Sequence, residues 1–217
     1  MRLWSDSFRD GASIPGTYAF AVQDPASRVR LSDNRSPHLA WDDVPAGTES
    51  LVLFCIDGDA PQDGRDVNVP DRTLPFALPR GDFFHWTLID IPPSLSTLPE
   101  GASSAAVTPH GKPGPDAVFR IGNVDYQLRQ GINDYTGWFA ADPAMAGDYY
   151  GYDGPCPPWN DMRLHHYIFR LYALDLPRLA LAGRFSGPDA YAAIHGHILD
   201  EAQWIGSYTL NPAVALP

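Results

Sequence analysis

Three ionisable side chains, Asp57, His85 and His165, fall at or near the ends of otherwise apolar rows. Strand side chains alternate with a period of two, so one face of Leu51 to Asp57 reads Leu51, Leu53, Cys55, Asp57. The same count gives Phe83, His85, Thr87, Ile89 and Ile91 on one face of the next candidate strand. It gives His165, Tyr167, Phe169, Leu171 and Ala173 on a third. A carboxylate that orients an imidazole makes either an acid–base pair or a fixed hydrogen-bond donor. If these strands are neighbours, the three groups form a small polar pocket over an apolar floor, which is the composition of a ligand site. Spacing alone favours the plainer arrangement, three separate core-edge residues each hydrogen-bonded to nearby backbone.

Other constellations do not carry chemistry. His195 and His197 lie two apart on an expected helix, and adjacent His165 and His166 on a strand face opposite ways, so neither pair chelates a metal. The chain has no CxxC, HExxH, Walker A loop, GxGxxG or Gly-x-Ser-x-Gly elbow. Asp57 and Asp59 read as turn-capping carboxylates rather than cation ligands. Cys156 is the one candidate nucleophile, and Pro155 and Pro157 on either side suit a structural turn. No metal, cofactor or catalytic residue is therefore expected, and binding is favoured over turnover.

The elements needed to position these groups are mostly strands. Thr17–Val22, His38–Trp41, Leu51–Asp57, Phe83–Ile91 and His165–Leu174 are short aliphatic or aromatic runs bounded by Pro, Gly, Asp or Asn. No helix-period stretch long enough for a parallel crossover precedes residue 176, so the pattern predicts an antiparallel β sandwich. Ala190, Ile194, Ile198 and Ala202 recur at four-residue spacing after Ser186-Gly-Pro-Asp, predicting one C-terminal helix that Gly206 ends, followed by a last strand from Ser207. Segments 62–82 and 131–164 lack periodicity. The second is rich in aromatics (Tyr135, Trp138, Phe139, Tyr149, Tyr150, Tyr152, Trp159), which favours an ordered, packed loop near a site. Trp41, Trp86 and Trp204 are expected in the core.

The 217 residues are read as one domain, 1–217, large enough to hold a core without disulfides. A formal charge of −11 argues against nucleic acid and against a polybasic membrane anchor. The longest apolar run, Leu51 to Ile56, is too short to span a bilayer, and the N-terminus lacks the apolar core of a secretory signal; a cytoplasmic protein is expected. Two cysteines make no disulfide framework. A long exposed sheet edge would favour a homodimer.

The motifs resemble a known family. Leu-Val-Leu-Phe-Cys-Ile-Asp57-Gly58-Asp59-Ala60-Pro61, His85-Trp86 before Ile91-Pro92, and Gly151-Tyr-Asp-Gly154-Pro155-Cys156-Pro157-Pro158 before His165 and Tyr167 are similar to the phosphatidylethanolamine-binding proteins. Asn34-Arg-Ser36-Pro37-His-Leu39-Ala-Trp41 matches the family's early motif, and the likeness is closest to the bacterial, Raf-kinase-inhibitor-like branch. The resemblance implies an antiparallel sandwich whose cavity binds phosphate-type anions, including phospholipid headgroups. It implies a cavity lining of Asp57, Asp59, His85, Gly154, Pro157, Pro158, His165 and Tyr167, with backbone N–H groups around Gly154 adding donors. Gly58 stands where the family has proline, which would loosen the aim of Asp57. Kinase inhibition, a property of animal relatives, is not implied. Partner recognition through segment 131–164 and an Asp–His hydrolase are the alternative readings.

Overall fold

A computed structural model describes residues 1–217. In chain order the elements are β1 (Arg2–Trp4), β2 (Ala21–Asp24), β3 (Arg28–Leu31), β4 (Leu39–Asp42), β5 (Ser50–Pro61), β6 (Arg80–Ile91) and β7 (Thr97–Leu98). They continue with β8 (Asp116–Ile121), β9 (Val124–Gln130), α1 (Tyr135–Trp138), β10 (His165–Leu174), α2 (Gly187–Ala193) and β11 (Ile198–Tyr208). Six strands form one antiparallel sheet in the order β11-β10-β5-β6-β9-β8, and β1-β4-β7 and β2-β3 form two small ones. No helix is long and apolar enough to cross a membrane.

The unbroken apolar run of β5 follows from burial on both faces. Leu51, Leu53 and Cys55 pack with Trp86, Leu88, Phe169 and Leu171 against Leu3, Leu39, Trp41 and Leu98 of the three-stranded sheet. Val52 and Phe54 face the other way, with Phe84, Ile89 and Tyr172, under Leu179, Phe185, Ala190 and Ile194. Each fully buried Leu or Phe here contributes roughly 1.5–3 kcal/mol. Trp41 and Trp86 are buried, while Trp204 is half-buried against the first core.

The long C-terminal helix expected from sequence is short. Helix α2 ends at Ala193. A capping box holds its start: Asp189 N donates to Ser186 Oγ (3.3 Å) and Ser186 N donates to Asp189 Oδ2 (2.8 Å). Gly196 then turns the chain in the left-handed region (φ 86°), and Ile198 to Tyr208 pair with β10 along their whole length. A spacing of four is also twice the strand period, so it fits a strand face as readily as a helix stripe: Ala202 and Gly206 share one face of β11, while a bulge opposite Ala173/Leu174 turns Ile198 to the other. Gly206 does not terminate anything: a Cβ there would lie 2.4 Å from Ile14 Cγ1, so glycine admits the N-terminal segment against the strand.

Strict alternation also fails inside β6. Phe84 pairs with Ile56 and Trp86 with Cys55, which leaves His85 as an extra residue, a β-bulge. Phe83 faces with Asp57, but Thr87 sits opposite Phe54 on the other face, and Ile89 joins the second core. A second irregularity lies between Leu88 and Ile91, around Asp90 at φ 61°.

The two aperiodic segments are clasped together. Asn160 Nδ2 donates to Asp66 O (2.8 Å) and Arg72 O (3.1 Å), its Oδ1 accepts from Asn68 N (3.0 Å), and Leu74 N donates to Asn160 O (3.0 Å). In segment 131–164, Tyr135, Tyr149, Tyr150 and Tyr152 are buried and Trp138 is exposed.

Candidate functional site

The register brings the ends of β5, β6 and β10 together. Tyr167 lies opposite Asp57, Asp57 lies opposite Phe83, and the bulge turns His85 toward the same end. A cavity of about 550 Å³ opens there. Asp57, His85, His165 and Tyr167 are its buried polar lining; Phe20, Phe83, Tyr135 and Phe139 give aromatic walls. Pro157 and Pro158 line it as well, and exposed Leu31 and Trp138 stand at the mouth with Arg30.

Hydrogen bonding assigns the protons. His165 Nδ1 donates to Asp57 Oδ2 (2.6 Å) and Nε2 donates to Asp161 Oδ2 (3.1 Å). Carboxylate oxygens accept, so both nitrogens carry hydrogen and the ring is an imidazolium. Burial works against that proton. The charge of Asp57 and the bonds to Asp161 and Asp57 outweigh it, and the His165 pKa rises to about 9. Burial likewise opposes the charge of Asp161, but His165 and Arg80 bring it down to about 2. Arg80 spends all five N–H groups on Asp161, Asp59 O, Leu78 O and Pro75 O, so it braces the site and has no donor left for a guest. Two carboxylates and two cations balance.

His85 is the opposite case. Its Nδ1 donates to Asp153 O (2.7 Å), and Asp153 N returns a bond to His85 O (3.1 Å). Burial lowers its pKa, with Asp57 pulling the other way, so the ring is neutral and Nε2, which has no protein partner, holds a lone pair. Asp153 is buried and held by Asn34 (2.7 Å), Lys112 (2.7 Å) and Asn133 (2.8 Å), which fixes the loop that orients His85. The Tyr167 hydroxyl is buried with no partner, whereas Tyr135 donates to Gly154 O (2.8 Å).

Of the residues singled out from sequence, Asp57, His85, Pro157, Pro158, His165 and Tyr167 share the cavity. Asp59 does not: the β5 irregularity between Asp57 and Ala60 carries its side chain to His166 (2.8 Å) and Arg163 (3.4 Å). Gly154 lies behind the lining. Its N–H is taken by Asn34 Oδ1 (2.8 Å), so it offers no free donor, and a Cβ would meet Tyr18 O at 2.0 Å. Gly58 does not loosen Asp57, because Asp59 N donates to Asp57 Oδ1 (2.8 Å) while His165 holds Oδ2. His165 is not a free donor either, since both its nitrogens are committed. His166 faces outward, as alternation requires. Asp161, Arg80 and Asp153 escaped the sequence reading. Asp153 lies inside the Gly151–Pro158 motif and Asp161 four residues before His165, but neither stands on a periodic element.

The profile of the family described as phosphatidylethanolamine-binding protein matches residues 4–209. The UPF0098 protein YbhB of Escherichia coli is 31% identical over 202 residues, covering 93% of this chain and 96% of the relative. A UPF0098 protein of Methanothermobacter thermautotrophicus is 32% identical over 208 residues, covering 96% and 98%. Among solved structures, a phosphatidylethanolamine-binding protein homolog from Chlamydia trachomatis aligns with TM-score 0.60 at 27% identity, covering 95% of each chain. YbcL of E. coli, described as a new member of the mammalian family, shares the fold with TM-score 0.65 at 23% identity, covering 96% of this chain and 97% of that one. A profile match over nearly the whole chain, on the strands that build the cavity, makes this protein a member of the phosphatidylethanolamine-binding protein family, of the bacterial type.

Proposed function

We propose that the protein binds a small phosphate-type group, as a free anion or a phospholipid headgroup, in the cavity at the ends of β5, β6 and β10. The observation that carries this is the buried Tyr167 hydroxyl without a partner in the cavity that His85 also lines, its ring 5.1 Å from that of Tyr167 and its Nε2 likewise without a partner. An unsatisfied buried polar group costs roughly 1–3 kcal/mol, and a guest oxygen accepting from the Tyr167 hydroxyl would recover that group's share, whereas Nε2 pairs with an oxygen only when it is protonated. The aromatic walls suit an ester substituent. Binding without turnover is part of the proposal, because burial pushes the Cys156 thiol up to about 12 and leaves it a poor nucleophile. The inward packing of Tyr135, Tyr149, Tyr150 and Tyr152 disfavours the reading of segment 131–164 as a partner-facing patch.

Neutral His85 repels an anion's oxygen with its Nε2 lone pair; protonated, it donates. Affinity is therefore expected to rise as pH falls below the ordinary histidine value of about 6.5. The probe is glycerophosphoethanolamine, a phosphodiester without the second ionisation near about 6 of a phosphomonoester. Calorimetric titration between pH 5 and 8 should show tighter binding at the acid end, flattened in His85→Gln and weakened roughly tenfold in Tyr167→Phe. Absence of binding across the range, or an unchanged pH profile in His85→Gln, overturns the reading.

A further inference from the structure

The cavity of about 550 Å³ has room for far more than a phosphate group, so the rest of its lining reads whatever the phosphate carries. That lining is poor in acid. Asp57 is the one carboxylate in it, and its oxygens already accept from His165 Nδ1 (2.6 Å) and Asp59 N (2.8 Å). Asp59 and Asp161 lie outside the lining. The first pairs with His166 and Arg163, the second with His165 and Arg80. Arg30, the charged residue at the mouth, is a cation.

The remaining walls are apolar. Val29, Phe139 and Met145 are half-buried in them, and Leu31 and Trp138 stand exposed at the mouth. Phe20 and Tyr135 stack with centroids 4.6 Å apart, and Tyr135 and Phe139 at 5.5 Å, so these rings cover part of one another's faces. A primary ammonium held among them would lose its water and find no carboxylate free of a cation. A ring face returns only part of that cost. An alkyl or aryl group meets no such cost there and gains by leaving water.

We propose that the guest is a soluble phosphate ester with an uncharged apolar substituent, and that the lining selects against an ethanolamine end. This choice of ester rests on the phosphate reading of the same cavity. A lipid entering by its head would bring its polar alcohol in first, which does not suit these walls, so a soluble ester is the source.

Calorimetry at pH ~6 compares methyl propyl phosphate with methyl aminoethyl phosphate. The two diesters share one shape and one singly charged head, and differ in whether the chain ends in a methyl or an ammonium. The propyl ester should bind at least about tenfold tighter, and methyl phenyl phosphate tighter again. Leu31→Glu, on a 55% exposed site, puts a carboxylate at the mouth and should narrow the ratio to about threefold. Tyr167→Phe, which removes a donor to the phosphate, should weaken both esters alike. Vesicles of phosphatidylcholine with phosphatidylethanolamine should not carry the protein down on centrifugation. An aminoethyl ester as tight as the propyl one, or a ratio unmoved by Leu31→Glu, overturns the proposal and leaves the phosphate reading standing. Protein carried down by those vesicles, but not with Tyr167→Phe, does the same. If neither ester binds, or Tyr167→Phe weakens neither, the phosphate reading falls and this choice of ester falls with it.

Discussion

His165, held on both ring nitrogens by carboxylates, links the site to folding. Its pKa of about 9 exceeds the ordinary value of about 6.5, so the folded state binds its proton more tightly than the unfolded state. That stabilisation is fully present below pH ~6.5 and is lost as pH rises through about 9, worth about 3 kcal/mol at 1.36 kcal/mol per pKa unit. Asp161 runs the other way. Its pKa of about 2 lies below the ordinary carboxylate value, so its contribution is complete above pH ~4 and lost as pH falls through about 2. His85, lowered by burial, also loses stability as pH drops below ~6.5, because acid charges its ring more easily in the unfolded chain. His165→Asn should therefore be destabilised most near pH 6 and should lose the alkaline decline between pH 6.5 and 9 in urea unfolding. An alkaline slope equal to that of the unsubstituted protein would show that the two-carboxylate clamp does not hold this proton. At this scale, alternation found Asp57 and His165, because β5 and β10 pair in register near the cavity, whereas Tyr167 came from the family motif. It could not show that both His165 nitrogens are committed, since Asp161 comes from an aperiodic loop.

At the scale of elements, the cavity is framed by two segments without secondary structure that Asn160 and the Arg80–Asp161 pair tie to each other. Arg80→Met removes a buried cation and leaves Asp161 beside His165 without its second partner. Breaking one side of a buried ion pair costs about 3–5 kcal/mol, so a loss of that order is expected in chemical denaturation. Proteolytic nicking within residues 62–79 should rise in parallel, because Arg80 no longer ties that segment's Pro75 O and Leu78 O to Asp161. Unchanged proteolysis would mean that Asn160 alone holds the clasp. Strands β4, β5, β6 and β10 were legible in the sequence because runs such as Leu51–Ile56 have no polar interruption, and their burial on both faces explains it. Thr17–Val22 is not a strand: Gly16–Tyr18 make a 3-10 turn and β2 begins only at Ala21, and the half-exposed β8–β9 hairpin was not read at all. Two further features were not legible. The four-residue spacing of Ile198 and Ala202 satisfies both a helix and a strand, and long-range pairing with β10 decides between them. The His85 bulge leaves no local mark, because an extra residue shows only against its partner strand, yet it sets the direction of the one free imidazole nitrogen in the cavity.

At the scale of the whole molecule, the proposed binding of an anion by a chain of charge −11 sets two fields against each other. The global field repels an approaching phosphate over a Debye length, about 8 Å at 0.15 M salt and longer when dilute. The local field at the cavity is balanced, because Asp57 and Asp161 are matched by His165 and Arg80, and buried pairs are little screened. Added salt should therefore remove more repulsion than attraction. Between about 10 mM and about 150 mM ionic strength, affinity for inorganic phosphate at pH 6 is expected to rise roughly two- to threefold. Ionic strength is best varied with the sodium salt of a bulky monovalent anion at fixed chloride. Binding at an exposed cation has the opposite sign. Arg28, stacked 4.0 Å over Trp159, is such a cation, and an anion held there would weaken steadily as salt rises. The direction of the salt effect thus separates a guest inside the balanced cavity from one on the surface, and a fall in affinity with salt would move the binding site out of the cavity.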